Sequence, residues 1–464
     1  MEKIIGILND IIWSPALIIL LLGAGLYFTV RTRFVQLRKV PLMVRLLFGS
    51  SGKERTGDTF SSFQAFFVAL AGRVGIGNIV GVATAIALGG PGSVFWMWMV
   101  AFFGAATAFT ESTLANKYQF EYNGKLRGGP TAYIARGLHS PVLAVVFAVL
   151  TIVGYGMLLV LVQANGLSTA FENSFGVNPL WTGMALALVL GMVIIGGASR
   201  IAKVATIVCP FMALAYILVS FVIIIANINA IPTMFGLIFS SAFGLNSIFG
   251  GIFGSTVAMG IKRGLFSNEA GLGGGAIVSA AAKVEHPAQQ GLVQAFSVYI
   301  DTLLVCTATA LMILSTGTYN VFDASGNVIA AYAPELGNNY VSFTQSAIDS
   351  VFNGFGGIFV TIALAFFSFT TIMAFYFYAE SSFTYLFSTS KKLGEKGETF
   401  FLNSYKVIIL LISIVGAVTA SDTVWKIGDI GQGMTVWLNV IVLLILFPEA
   451  LALLRDFEAR NKKR

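Results

Sequence analysis

Gly72-Arg73-Val74-Gly75-Ile76-Gly77-Asn78 and Gly250-Gly251-Ile252-Phe253-Gly254-Ser255 are the two stretches that decide how this chain is read. Each interrupts an apolar run that would otherwise form one continuous membrane-spanning helix. Glycine inside a helix costs about 1 kcal/mol relative to alanine, so such clusters need a reason. One reason is a helix unwound at the bilayer midplane, where freed backbone groups bind substrate and ions, as in secondary transporters. The other is close packing of helices through small residues. Finding one cluster in each half of the chain favours the first.

What surrounds the two stretches belongs in a membrane. Hydrophobic residues make up 56% of the chain and charged residues 11%, against roughly 25% charged in a soluble domain. Eleven candidate spans, each near the ~20 residues a helix needs to cross the hydrocarbon, run at about 11–30, 62–88, 92–116, 142–171, 179–197, 201–226, 246–281, 289–316, 356–387, 402–420 and 430–453. The seventh is too long for one straight helix and is expected to break near Gly250 to Gly260 into an outer and an inner half. The first fifteen residues carry acidic Glu2 and Asp10 and no small-residue cleavage site, unlike a cleaved signal peptide. Cys209 and Cys306 lie within apolar runs and are expected to be packed thiols.

Basic residues fall in alternate loops. Arg31, Arg33, Arg38, Lys39, Arg45, Lys53 and Arg55 follow the first span. Lys117, Lys125, Arg127, Arg136, Arg200, Lys203, Lys262, Arg263 and Lys283 continue on the same side. Lys391, Lys392, Lys396, Lys406, Arg455, Arg460, Lys462, Lys463 and Arg464 complete it, giving 25 of 28 basic residues. The opposite side holds Lys3 and Lys426, while Arg73 sits in the first break. By the positive-inside rule the N-terminus is outside and the C-terminus cytoplasmic. The loop near 317–355, with Asp323, Glu335 and Asp349 and no basic residue, suits the outside. The net charge of +7 therefore reports topology, and no nucleic-acid partner is expected.

Spans two to six start inside and spans seven to eleven start outside, and each set is led by a glycine-broken span. This is an all-α polytopic membrane protein on the LeuT-type 5+5 inverted-repeat plan, with one additional N-terminal helix. The chain divides into 1–57 (first helix and basic loop), 58–228 and 229–455 (the two repeats) and 456–464 (basic tail). One chain carries the whole plan, so a monomer suffices.

Longer motifs carry a resemblance. Gly89-Gly90-Pro91-Gly92-Ser93-Val94-Phe95-Trp96-Met97-Trp98 and Arg263-Gly264-Leu265-Phe266-Ser267-Asn268-Glu269-Ala270-Gly271 closely resemble motifs of the alanine/glycine:cation (sodium:alanine) symporters. Val74 to Asn78, Arg127 to Pro130 and Tyr376 to Glu380 look like further segments of that family. The resemblance covers nearly the whole chain. It implies a LeuT-type fold and Na+ as coupling ion, with a small neutral amino acid imported by alternating access across a prokaryotic plasma (inner) membrane.

A zwitterion needs donors for its carboxylate and acceptors for its ammonium, and an unwound helix supplies both. Gly75 and Gly77 let backbone approach a ligand, Ile76 lies between them, and Asn78 can add its amide. Gln163, at membrane depth, is either an interhelical hydrogen bond or, as the resemblance implies, a substrate contact. Ser368 and Thr371 share a helix face, and Thr370 points elsewhere. Hydroxyls there either bond their own helix or, with the carbonyls of Ala69 and Gly72, build an all-oxygen cage for sodium; Thr371 can also touch substrate. Phe375, one turn on, is a pocket wall or apolar packing. Alanine-type members of the family tend to have tryptophan at the position of Phe375 and threonine or serine at that of Ile76. Alanine, glycine, D-alanine and larger neutral amino acids such as glutamine thus stay open, as do proton coupling and a facilitative carrier. Arg73 should be ion-paired, with Glu111, Asp301 or Glu380, or else bind a carboxylate or gate the path. His139 and His286 fall in expected inner loops, and no nucleotide-binding glycine loop with a following Lys-Ser or Lys-Thr occurs, so the reading is a carrier rather than an enzyme.

Overall fold

The computed structural model describes residues 2–49, 59–390 and 394–462. Lys53, Arg55, Lys391, Lys392, Lys463, Arg464 and the side chain of Lys462, all part of the charge count, lie outside the described residues. Two helices open the chain, α1 (Glu2–Ile12) and α2 (Pro15–Arg31), followed by the short α3 (Val35–Arg38) and α4 (Val40–Gly49). The first broken pair is α5 (Ser62–Arg73) and α6 (Val80–Gly89), joined through a 3-10 turn at Ile76–Asn78. α5 begins at a reciprocal cap: Gln64 N–H donates to Ser61 Oγ at 3.1 Å, and Ser61 N–H donates to Gln64 Oε1 at 2.9 Å. Next come α7 (Ser93–Lys117), the hairpin β1 (Phe120–Tyr122) and β2 (Lys125–Arg127), and α8 (Pro130–Arg136). α9 (Pro141–Val153) passes through a π-helical turn into α10 (Leu159–Phe175), followed by α11 (Pro179–Ile194), α12 (Gly197–Ala226) and α13 (Ile231–Ala242).

The second broken pair is α14 (Phe253–Asn268) and α15 (Gly274–Ala280). α16 (Pro287–Val298) continues through π-helical turns at Tyr299–Cys306 into α17 (Thr307–Thr316). A hairpin of β3 (Asn320–Phe322) and β4 (Val328–Ala331) and helix α18 (Tyr340–Asp349) fill the next loop. Three long helices close the chain: α19 (Gly356–Ser390), α20 (Glu395–Val418) and α21 (Ser421–Lys462). α7 packs against α14, α15 and α16, while α5 packs against α12 and α19. Large apolar side chains such as Phe211, Leu218 and Phe221 stay exposed along α12, a stripe suited to lipid.

Eight helical segments among the described residues are long and apolar enough to cross a bilayer. The other three expected spans fall on α11, of 16 residues, and on the two broken pairs, whose halves are each shorter than a bilayer requires.

The second break is not near Gly250 to Gly260. Gly250–Ile252 is a 3-10 turn leading into α14, which runs unbroken to Asn268. The chain leaves the helix at Glu269, with φ 54°, and Gly271 and Gly273 follow at 90° and 96°. Those left-handed values are strained for most residues and free for glycine, so the helix unwinds here. Gly260 serves packing instead, because a Cβ there would fall 2.5 Å from Ser93 O and Trp96 Cβ of α7.

Candidate functional site

At the end of α5 the helical ladder stops by substitution of partners. Val74 N–H still reaches Leu70 O at 2.8 Å. The next two amides turn away: Gly75 N–H donates to Asn78 Oδ1 at 2.9 Å and Ile76 N–H to Gln163 Oε1 at 3.1 Å. The carbonyls of Ala71 and Gly72 are thereby released from the backbone ladder. Gln163 comes from α10, so the first break is held by a second element. A Cβ at residue 75 would lie 2.7 Å from Thr371 Oγ1 and 2.9 Å from Gln163 Oε1, which makes Gly75 the point where three elements converge. Gly77 abuts Phe266 of α14, whose Cδ1 would be 2.9 Å from a Cβ there. Ile76 packs on Gly166.

Thr371 Oγ1 donates to Ala71 O at 2.9 Å and Val74 O at 3.2 Å. The carbonyls beside it are those of Ala71, inside the expected Ala69 to Gly72 stretch, and Val74, two residues beyond it. Ala69 lies one rung inside the intact ladder, so its carbonyl is not freed; that of Gly72 is. Ser368, one turn earlier on α19, has a buried hydroxyl with no hydrogen-bond partner among the described residues. Thr370 turns back to Phe366 O at 2.9 Å. The freed carbonyls and the Thr371 hydroxyl beside them, with the Ser368 hydroxyl one turn away on α19, are oxygens of the kind that suit a hard monovalent cation. Phe375 is buried edge-on to Tyr155, with ring centres 5.1 Å apart.

The two breaks share a polar centre that the sequence did not point to. Asn78 Nδ2 donates to Asp301 Oδ1 at 2.7 Å, and Ser267 and Thr302 hydroxyls donate to Asp301 Oδ2 at 2.8 and 2.7 Å. Asp301 thus ties α5–α6 to α14 through neutral donors, and it is not the ion-pair partner of Arg73. Arg73 Nη1 instead donates to Gln294 O and Oε1, each at 3.3 Å, and to Ser297 Oγ. Glu380 is taken by Arg127 at 3.4 Å, and Glu111 accepts from Asn439 at 3.2 Å. Arg73 is accommodated by the turn of α16 beside it, where polar side chains already lie at reach. Ser267 lies within the second family-like motif, Arg263 to Gly271, and that is the one sequence signal for it.

A cavity of about 690 Å³ opens beside the breaks, lined among others by Val80, Thr84, Gly166, Arg263, Trp425 and Asp429. Lys262 and Arg263 do not sit in an inner loop, as the charge count had them. They lie within α14, each 2.8 Å from Asp429 Oδ2, with Lys262 over the Trp13 ring and Arg263 over that of Trp425. Their charges are met by protein, so they carry no information about membrane sidedness.

Helices broken opposite one another around a buried polar centre, with a cavity leading to them, define a secondary carrier of the LeuT-type helical class. The chain belongs to the sodium:alanine symporter family, whose sequence model matches residues 1–464. This is a family of transporters, not enzymes. A putative sodium/proton-dependent alanine carrier protein of Bacillus subtilis (strain 168) is 48% identical over 100% of this chain and 94% of its own length. A probable sodium/glutamine symporter of the same organism is 38% identical over 100% of this chain and 92% of its own length. Among solved structures, MhsT in complex with L-phenylalanine matches with a TM-score of 0.56, covering 85% of this chain and 98% of that one at 13% identity, a likeness of fold.

Proposed function

We propose that this chain is a sodium-coupled symporter that imports a small neutral amino acid, alanine or glycine, by alternating access. The observation that carries the reading is the convergence at Gly75, where two backbone N–H groups, the Gln163 amide and the Thr371 hydroxyl surround a position without a Cβ. The two N–H groups and the Thr371 hydroxyl are held here by Asn78, Gln163 and the carbonyls of the α5 end, and they suit a carboxylate once they turn from those partners. The Ala71 and Gly72 carbonyls, released from the ladder, suit an ammonium or a cation. Gly75, Ile76, Gly77, Asn78, Gln163, Thr371 and Phe375 form the substrate side of the site. Thr371 and Ser368 hydroxyls with carbonyls of the α5 end form the sodium side. Family membership and the alanine carrier among the relatives support the substrate class.

The eleven spans are read as one N-terminal helix and two inverted repeats of five, 58–228 and 229–455, each led by a broken pair. The N-terminus faces outside and the C-terminus the cytoplasm of a prokaryotic cell. A second reading has one specific support, the glutamine symporter among the relatives: a larger neutral amino acid in a pocket reshaped by Ile76 and Phe375.

Coupling sets what the carrier can achieve. A zwitterion with one Na+ moves one charge, worth about 2.3 kcal/mol at 100 mV. A tenfold sodium gradient adds about 1.4 kcal/mol, so accumulation on the order of 500-fold is supported. In proteoliposomes, labelled alanine or glycine should therefore concentrate under an inward sodium gradient and only equilibrate, if it enters at all, with potassium in place of sodium. Equal concentrative uptake in both would remove sodium as the coupling ion; concentration of glutamine alone would select the second reading.

Thr371→Val keeps the volume and deletes the hydroxyl. A lost charge-assisted contact of about 1.5–3 kcal/mol corresponds to roughly 10- to 150-fold, so the half-saturating sodium concentration should rise at least about 10-fold. An unchanged sodium dependence would take Thr371 out of the ion site.

A further inference from the structure

A groove of about 490 Å³ runs between α10, α11 and α19 and shares no lining residue with the cavity beside the breaks. Its walls are apolar, with Phe171 from α10, Ala185 and Val189 from α11, and Ala365, Phe366 and Phe369 from α19. Packing accounts for the gap. α11 is seated closely on α20, since a Cβ at Gly183 would lie 2.8 Å from Ala417 Cβ. On the groove side α11 and α19 contribute Ala185 and Ala365, and two small side chains among large ones leave the space open. The groove opens on the membrane: Trp181, Val189 and Phe366 line it and are exposed, and exposed Leu188 and Ile362 continue the apolar surface beside it.

One polar atom stands in this surface. Thr182 lines the groove, is 5% exposed, and its Oγ1 has no hydrogen-bond partner among the described residues. A buried hydroxyl without a partner is costly, and hydrocarbon supplies none. Thr182 is the fourth residue of α11, one turn in from the helix start, and follows Trp181, a residue type that favours the membrane–water interface. With 16 residues α11 is about 24 Å long, short of the ~30 Å hydrocarbon layer. Lipid beside a short helix thins to match it, which draws the polar parts of the lipid inward. The ester carbonyls, at the inner edge of those polar parts, then come to the depth of Thr182.

We propose that this groove binds one phospholipid, whose acyl chain lies between Ala185 and Ala365 and whose ester carbonyl accepts from Thr182 Oγ1. A second copy of the chain is a poorer occupant, because a membrane helix uses its carbonyls within its own ladder and offers Thr182 no acceptor. No charged residue lines the groove among the described residues, so the headgroup is not selected. The bound chain fills the space behind Phe366 and Phe369. Ser368 and Thr371 each lie two residues further on and point to another side of α19, so the lipid braces the helix that carries them without touching them. The site does not depend on which solute the protein carries.

Native mass spectrometry of the purified full-length protein, delipidated in detergent and titrated with dioleoyl phosphatidylcholine, tests it. The wild type should bind one lipid about 10-fold more tightly than those that follow. Ala185→Trp, which fills the groove, should lose that lipid and keep the weaker ones. The dialkyl ether analogue, which lacks the ester carbonyls, should bind the wild type about 2- to 10-fold more weakly than the diester. Thr182→Val should remove that difference, and these two arms carry the test if Ala185→Trp does not fold. Wild-type lipid binding by Ala185→Trp would overturn the groove as the site, and equal binding of diester and diether by the wild type would overturn the Thr182 contact. A wild-type dimer that Ala185→Trp turns into a monomer, with no tight lipid in either, would overturn the lipid in favour of a second copy.

Discussion

Replacing Gly75 by alanine is expected to lower sodium-driven uptake about 100-fold while leaving the protein folded, the loss being the uptake equivalent of about 2.7 kcal/mol. The backbone does not forbid alanine, since residue 75 has φ −134° and ψ −156°, an extended conformation open to any residue. What forbids it is space. The new methyl would sit 2.7 Å from Thr371 Oγ1, 2.9 Å from Gln163 Oε1 and 3.1 Å from Gln163 Nε2. Either Thr371 leaves the Ala71 and Val74 carbonyls or Gln163 leaves the Ile76 amide. Overpacking of this kind costs about 1–3 kcal/mol, and here it falls on the contacts that bind both solutes. Gly81→Ala is the matched control, because among the described residues nothing lies within 4 Å of a Cβ at that position. Uptake in proteoliposomes, with a thermal melt of each variant, reads both effects. Wild-type uptake by Gly75→Ala would mean that substrate and sodium bind elsewhere.

The contrast between positions 75 and 81 explains how much of the molecule was legible in the sequence. Apolar length and the basic-loop pattern pointed to a polytopic helical chain, because both follow from the bilayer and need no knowledge of packing. The first break was legible for a local reason: Gly75 and Gly77 flank an unwound turn, and Asn78 caps it three residues on. The second was misplaced because glycine density has two causes. Gly260 gives helix contact, against α7, whereas Gly271 and Gly273 give positive φ. Sequence alone separates those causes poorly. Glu269, a non-glycine residue at φ 54°, marks the second break more sharply than any glycine, and its residue type gives no sign of it.

Charge partners were the least legible part. Depth along the chain suggested Glu111, Asp301 or Glu380 for Arg73, yet each of those carboxylates has another neighbour. Asp301 gathers Asn78, Ser267 and Thr302, and Glu380 meets Arg127. Partner choice depends on which helix faces pack, and a charge pattern on one strand of sequence does not carry that information. The same holds for the sodium side: Ser368 and Thr371 follow from helical spacing, but which carbonyls face them depends on the rung at which α5 ends. The expected stretch, Ala69 to Gly72, contains Ala71, which Thr371 meets, but its exact carbonyls follow only from where the ladder stops.

Removing the Arg127 side chain is expected to destabilise the protein by about 3–5 kcal/mol, the usual result of stripping one partner from a buried ion pair. Arg127 on β2 is 0% exposed and reaches Glu380 Oε1 at 3.4 Å, with its guanidinium 5.2 Å over the Phe377 ring. Phe377 in turn lies 5.3 Å from Phe60, and Phe60 bonds by its backbone to Ala281 and Lys283. This clasp joins α19, the entry to α5 and the exit of α15, at the end of α5–α6 opposite the cavity at Val80 and Thr84. Arg127→Gln should lower the melting temperature in detergent clearly, and Arg127→Met with Glu380→Met should recover most of the loss, because no buried charge is then left alone. Additive losses in the double variant would mean that the two side chains act independently. In alternating access the end away from the open cavity has to be shut, and the clasp and the backbone pairing beside it lie at that end. A recovered double variant should therefore be stable yet leak: a cysteine placed at Ser279 should react faster with a membrane-impermeant thiol reagent applied from the α15 side than in the wild-type background. Equal reactivity would leave the clasp a stabilising contact with no part in closing the path.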